Sequence, residues 1–406
     1  MMKMNEDFLS SMQEAMRLLG TAGPLEATAV IQRALRGGDG KPGGAAPQPP
    51  ADACHAPHIR DGALDGNRSA RARATDAFFH PHIVREPDVE DRGYFSARTY
   101  ANDAGQRNYK LYVPSGYRGA PLPLIVMLHG CTQDADDFAA GTRMNMFAER
   151  HDCFVAYPIQ PKRANPSRCW NWFKPDDQQR ERGEPLLIAG ITRDVMAGYS
   201  VDPARVYVAG LSAGGAMAAV MIHNYPDLYA AAGIHSGLPY GCAHDLPSAL
   251  AAMKGGKRAR GGRLADGHDE PTVPKRPLIV FHSDADATVH PSNGSELVRE
   301  FSESTSPVDE ALDRQAGRRA CTRRRLTAAN GVDAEYWIVH GAPHAWAGGS
   351  VRGTYTDAGG PDASAEMVRF FLASKAPLIT SGKGKPNGLP KSPCTVVVLF
   401  FTSLCG

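Results

Sequence analysis

The sequence predicts an α/β fold, a mainly parallel central sheet with helices on both faces. Three observations carry this expectation. From about Tyr94, apolar strand-like runs alternate with helix-length segments, and that alternation implies parallel strands joined by helical crossovers. Hydrophobic residues make up 42% of the 406 and charged residues 22%, a balance that lets most of the chain bury a core. The stretches before and after the alternating region differ from it in composition, which bounds a single α/β domain over 91–376.

Residues 1–36 read as a helical hairpin. Phe8, Met12, Ala15 and Leu19 recur at helical spacing, and Val30, Ile31, Ala34 and Leu35 repeat it after the Gly23-Pro24 break. Residues 37–90 are rich in Gly, Pro and Ala and predict a flexible linker. The candidate strands are Lys110–Val113, Leu124–Leu128, Phe154–Tyr157, Val206–Ala209, Ala231–His235, Leu278–Phe281 and Glu335–Val339. Helical patterns lie near Asp136–Glu149, Leu187–Tyr199, Ala213–Asn224, Glu296–Glu303 and Ala363–Ala373. Residues 377–406 form an irregular tail that ends in the uncharged apolar run Val396–Phe401, an aggregation-type pattern unless covered.

Several function classes are excluded early. A net charge of +2 offers no dominant basic field for nucleic acid. The basic runs Arg318-Arg319 and Arg323-Arg324-Arg325 read as a solvated helix face. Eight cysteines without CxxC pairs argue against a zinc ribbon or a redox motif, and they are too sparse for a disulfide scaffold. No histidine pair shows a metal-ligand spacing such as HExxH, and neither GxGxxG after the first strand nor a P-loop is present. No metal, cofactor or membrane partner is therefore expected. The start of the chain lacks the pattern of a secretory signal, so a cytoplasmic location is the expectation.

The chemistry concentrates in Gly210-Leu211-Ser212-Ala213-Gly214, which follows a strand and opens a helix. That context is the one a nucleophile elbow needs, with Ser212 at a helix N-terminus where backbone N–H groups favour a developing anion. A serine hydroxyl needs a base, and the base needs an orienting carboxylate, in the chain order Ser, Asp or Glu, His. After Ser212, the strand-end segment Phe281–Val289 offers Asp284 and Asp286. Asp284 also reads as a turn residue bonded to its own backbone. Two histidines follow the last strand. His340 continues the strand, whereas His344 follows a Gly-Ala-Pro turn that aims it at a site, so His344 is the expected base. The oxyanion hole needs two N–H donors. One is expected from Ala213, the other from Cys131 or Thr132 after the strand Leu124–Leu128, with Cys131 favoured and His129 bracing the loop.

With these residues in place the chain resembles the poly(3-hydroxybutyrate) depolymerase family of esterases, which includes feruloyl and acetylxylan esterases. The resemblance covers roughly residues 109–373. It rests on Tyr109–Pro114, Leu128–Gln133, Cys169–Phe173, Gly210–Gly215, Phe281–Asp286 and His344-Ala345-Trp346 together. It implies an α/β-hydrolase fold of about eight strands and a triad of Ser212, Asp286 and His344. Asp286 is selected because the family's acid lies just before an x-x-Val step. The resemblance also implies a Cys131–Cys169 disulfide, a cleft wall carrying Trp170, and carboxylic ester substrates, polymeric or oligomeric hydroxybutyrate first. Feruloyl or acetylxylan ester hydrolysis is the alternative, and a non-catalytic granule-binding protein is the alternative from another class. Secreted family members make an extracellular location the alternative to a cytoplasmic one. Ser283 stands where the family usually has glycine.

Overall fold

The computed structural model describes residues 92–255, 275–301, 309–314, 318–327 and 333–374. The expected hairpin over 1–36, the linker over 37–90 and the tail over 377–406 lie outside the described residues. Among the described residues the main sheet has ten strands, more than the eight expected. They are β1 (Tyr94–Asn102), β2 (Gly105–Val113), β3 (Leu122–Leu128), β4 (Phe154–Pro158), β5 (Val201–Leu211), β6 (Ala231–His235), β7 (Leu278–Ser283), β8 (Asp309–Asp313), β9 (Cys321–Thr327) and β10 (Asp333–Val339). Their order across the sheet is β1-β2-β4-β3-β5-β6-β7-β10-β9-β8.

The run from β4 through β10 is parallel, and β1, β2, β8 and β9 add antiparallel edges on the two sides. The parallel strands are buried on both faces, so side chains alternate between two cores. Leu124, Val126 and Leu128 of β3 enter one core, and Ile125 and Met127 enter the other. In β5, Val206 and Val208 are on the first side, Tyr207 and Ala209 on the second.

Helices α1 (Ala135–Thr142), α2 (Met144–Arg150) and α7 (Ala363–Ala373) close one face. Helices α3 (Gly183–Gly198), α4 (Ala213–Asn224) and α5 (Leu246–Met253) close the other, and α6 (Ser292–Phe301) packs on β7 and β10. Helix α4 is apolar almost all round, because it is covered by the sheet on one side and by α3 on the other.

The added strands explain a misread charge pattern. Arg323-Arg324-Arg325 lie on β9, not on a helix. Arg324 pairs with Glu310 at 2.9 Å and Arg323 with Asp309 at 3.8 Å, both on edge strand β8. Charge on an edge strand suits the sheet margin, where cross-strand opposite charges attract and further pairing is discouraged. Arg319 lies in the approach to β9 and bonds Asp357 at 2.6 Å.

Candidate active site

The groups named from the sequence gather at the carboxyl ends of four parallel strands, where open α/β sheets place their sites. The loop at Cys131 follows β3, Ser212 follows β5, Asp286 follows β7 and His344 follows β10.

Ser212 has φ +57 and ψ −118, a strained conformation for a residue with a side chain. It stands at the N-cap of α4, yet its side chain makes no capping bond. The hydroxyl is thereby kept for chemistry. The sharp turn presses α4 against β3. A Cβ on Gly214 would sit 2.0 Å from the carbonyl oxygen of Leu128, so only glycine fits there. This contact sets Ala213 beside the loop that follows β3.

The two oxyanion candidates are resolved by their backbone partners. The N–H of Thr132 donates to Ser167 O at 2.7 Å, which removes it as a donor to substrate. The N–H groups of Cys131 and Ala213 have no partner among the described residues. A disulfide joins Cys131 to Cys169, and Trp170 Nε1 donates to His129 O at 3.1 Å. His129 Nδ1 bonds Gly130 O at 2.7 Å, and its Nε2 accepts from Gln160 N at 3.1 Å. Burial holds the His129 pKa down to about 4, so the ring is neutral and matches this donor–acceptor pattern.

Asp286 Oδ2 lies 2.7 Å from His344 Nδ1. Its Oδ1 accepts from Thr288 N and Val289 N, both at 2.8 Å. The x-x-Val step thus has a physical meaning: the Val289 amide helps aim the carboxylate. Burial would raise the Asp286 pKa, but the His344 hydrogen bond and charge and the Val289 N–H outweigh it, and the net shift is downward. With Nδ1 engaged, His344 is left with Nε2 for proton transfer. Among the described residues no hydrogen bond joins the Ser212 hydroxyl to His344.

The two rejected candidates pair with each other. Asp284 Oδ2 meets His340 Nδ1 at 2.7 Å, and Asp284 Oδ1 accepts from Gly341 N at 2.7 Å. Asp284 keeps the turn-bonding role expected of it, and Asp286 bonds its own following amides as well.

Trp170 is not in a cleft wall. It is 0% exposed, packed in the core with its N–H spent on the oxyanion loop. The cleft-wall position was what the family resemblance implied. The disulfide holds that loop beside Cys131, and the ring lies in the core with its N–H on His129 O.

Two residues were missed. His235, at the end of β6, accepts from Ser212 N through its carbonyl at 2.9 Å, and its Nε2 accepts from Ala347 N at 2.9 Å. It stacks on Trp346 and Phe281, and burial pushes its pKa down to about 3, so the neutral ring ties the nucleophile turn to the His344 loop. A histidine ending the strand beside the nucleophile's strand was the available signal. Ser283 was noted only as a departure from glycine. Its hydroxyl donates to Ala342 O, which fixes the turn before His344.

Among the described residues no group of three or more His, Cys, Asp or Glu side chains is arranged to hold a metal ion.

Comparison with known proteins follows the same span. The profile of the family described as Esterase PHB depolymerase matches residues 107–325, which include Cys131, Ser212 and Asp286 and end before His344. Poly(3-hydroxyalkanoate) depolymerase C of Paucimonas lemoignei is 35% identical over 239 residues, 58% of this chain and 57% of that protein. This chain therefore aligns with little more than half the length of that relative. Feruloyl esterase B of Neurospora crassa is 30% identical over 201 residues, 47% of this chain and 68% of that protein. An acetyl xylan esterase structure from Aspergillus awamori superposes with a TM-score of 0.52 at 18% identity, over 68% of this chain and 99% of that one, and it supports the fold.

Proposed function

The chain belongs to the PHB depolymerase family of esterases, and on that premise we propose that it hydrolyses carboxylic esters through a covalent acyl-Ser212 intermediate. The observation that carries this reading is the His344–Asp286 pair at 2.7 Å, set at the same sheet edge as an uncapped, strained Ser212.

Ser212 Oγ attacks the ester carbonyl carbon while His344 Nε2 takes its proton. The carbonyl oxygen becomes an alkoxide held by the N–H groups of Cys131 and Ala213. Asp286 keeps His344 in the tautomer that presents Nε2 and stabilises the imidazolium. Collapse of the intermediate expels the alcohol, which receives the proton from His344. Water, activated by the same imidazole, then releases the acid and restores Ser212. No cofactor enters.

Esters of 3-hydroxyalkanoic acids, as oligomers or polymer, are the proposed substrates, supported by the 35% identity to a poly(3-hydroxyalkanoate) depolymerase. The test is a hydrolysis panel of hydroxybutyrate oligomers, short p-nitrophenyl esters, feruloyl esters and acetylxylan, with Ser212→Ala as control. Release of hydroxybutyrate, lost by at least about 10³-fold in the variant, is the expected result. Activity confined to feruloyl or acetyl sugar esters would move the substrate class. A parent protein that takes no fluorophosphonate label at Ser212 would end the esterase reading.

A further inference from the structure

Tyr355 joins the loop that carries the base to the loop that carries an oxyanion donor. Its carbonyl accepts from Trp346 N at 2.7 Å, two residues after His344. Its hydroxyl lies 3.3 Å from Thr132 Oγ1, one residue after Cys131. The backbone around it is clamped. Thr354 bonds Asp137 through its N–H at 2.8 Å and its hydroxyl at 2.6 Å, Gln133 Nε2 reaches Thr354 O at 3.1 Å, and Thr356 Oγ1 donates to Ser350 O at 2.9 Å.

Within this clamp Tyr355 has φ +52 and is 45% exposed. Glycine or asparagine takes that φ at lower cost, and little burial offsets the strain of a tyrosine there. A strained backbone, over-determined by its neighbours and presenting an exposed ring beside reacting groups, is the pattern of a substrate contact.

The hydrogen-bond directions define what the ring offers. Thr132 Oγ1 donates its single hydrogen to Cys131 O at 2.6 Å. In its contact with Thr132, Tyr355 is then the donor, and its oxygen accepts no hydrogen bond among the described residues. We propose that Tyr355 is a specificity-determining residue whose phenolic oxygen accepts a hydrogen bond from a free hydroxyl on the acyl part of the ester. The acyl part is chosen because Thr132 adjoins the amide that holds the acyl carbonyl oxygen, whereas the alcohol leaves toward His344. The substrate class is therefore an ester whose acyl group ends in a hydroxyl, such as the hydroxyl end of a short hydroxyacid oligomer. This inference rests on the esterase reading above.

The experiment compares kcat/KM for methyl 3-hydroxybutyrate and methyl butyrate in the parent, Tyr355→Phe and Tyr355→Asn, with thermal midpoints for all three. Loss of one hydrogen bond to substrate is expected to lower the hydroxybutyrate-to-butyrate ratio about five- to tenfold in Tyr355→Phe. Tyr355→Asn, which suits the positive φ, is expected to lower it similarly. A purely structural role lowers both esters by one factor and leaves the ratio within about twofold of the parent, which would overturn the proposal while esterase activity stands. If the parent hydrolyses neither ester and takes no fluorophosphonate label, the esterase reading fails and this inference with it.

Discussion

Asp284 Oδ2 and His340 Nδ1 stand 2.7 Å apart, the same separation as Asp286 Oδ2 and His344 Nδ1. Two carboxylate–imidazole pairs thus lie side by side at the ends of β7 and β10, and distance alone does not tell them apart. Their surroundings do. The Asp286 side chain is fully buried and its second oxygen takes two amides, whereas the Asp284 side chain is 46% exposed and its histidine spends Nε2 on Thr322 at 2.9 Å. Only His344 has its second nitrogen left for a proton from serine.

Asp286→Asn is therefore expected to lower kcat on a short ester by roughly 10³–10⁴-fold, since an amide there favours the wrong imidazole tautomer. Asp284→Asn is expected to stay within about tenfold of the parent, because it removes a partner from a histidine that moves no proton. Steady-state kinetics on both folded variants decides; equal losses, or the reverse order, would show that the pairs have been assigned the wrong way round.

Trp170→Phe removes the donor to His129 O and leaves a buried carbonyl unpaired, at a stability cost of about 1–3 kcal/mol. Because the ring meets no solvent, the loss in kcat/KM is expected to be equal for a short acetyl ester and a hydroxybutyrate trimer. A fall at least about fivefold greater for the trimer would return Trp170 to the substrate cleft.

The Cys131–Cys169 bond closes 38 residues and holds the oxyanion loop against the chain that carries Trp170. Cys169→Ser is expected to cost ~2–4 kcal/mol of stability, read as a lower thermal midpoint. It is also expected to reduce kcat more than it changes KM, because the Cys131 amide acts on charge that develops only in the transition state. A lowered midpoint with kcat unchanged would mean that the disulfide staples the fold but does not position the donor.

Buried titratable groups give the stability a pH dependence with opposing parts. His129 and His235 fall from 6.5 to about 4 and about 3, mainly through burial, so the unfolded chain binds those protons first. Their stability is present above pH 6.5 and is lost as pH falls toward the folded values. Glu184 behaves the other way. Burial, and then Asp177, raises it from 4.5 to about 7, so its contribution is present below pH 4.5 and is lost as pH rises through about 7. Glu184→Gln removes the opposing part, and the thermal midpoint is expected to climb more steeply between pH 4.5 and 6.5 than in the parent. A slope equal to or shallower than the parent's would refute this assignment.

The local turn at Ser212 was legible from residues alone. Gly210-Leu211-Ser212-Ala213-Gly214 between a strand and a helix announced its own turn, because a nucleophile elbow is built from neighbours in sequence. The parallel strands and most helices were legible too, since strands buried on both faces must be apolar and their helices must carry apolar stripes, but the Asp136–Glu149 pattern is two helices broken at Arg143 and α5 was not anticipated. Tertiary structure alone decided the rest. Edge strands β1, β8 and β9 carry mixed polar sequence, and a basic run is read as helix or strand only when Glu310 and Asp309 are seen opposite it. Asp286 was separated from Asp284 by resemblance, and the physical ground for the choice, the Thr288 and Val289 amides and His344, appears only when loops 58 residues apart meet. Trp170 shows the limit most clearly. Its composition suits a core or a binding face equally well, and the side of the Cys169 loop on which the ring lies depends on a bond to His129 O, 41 residues away in the chain.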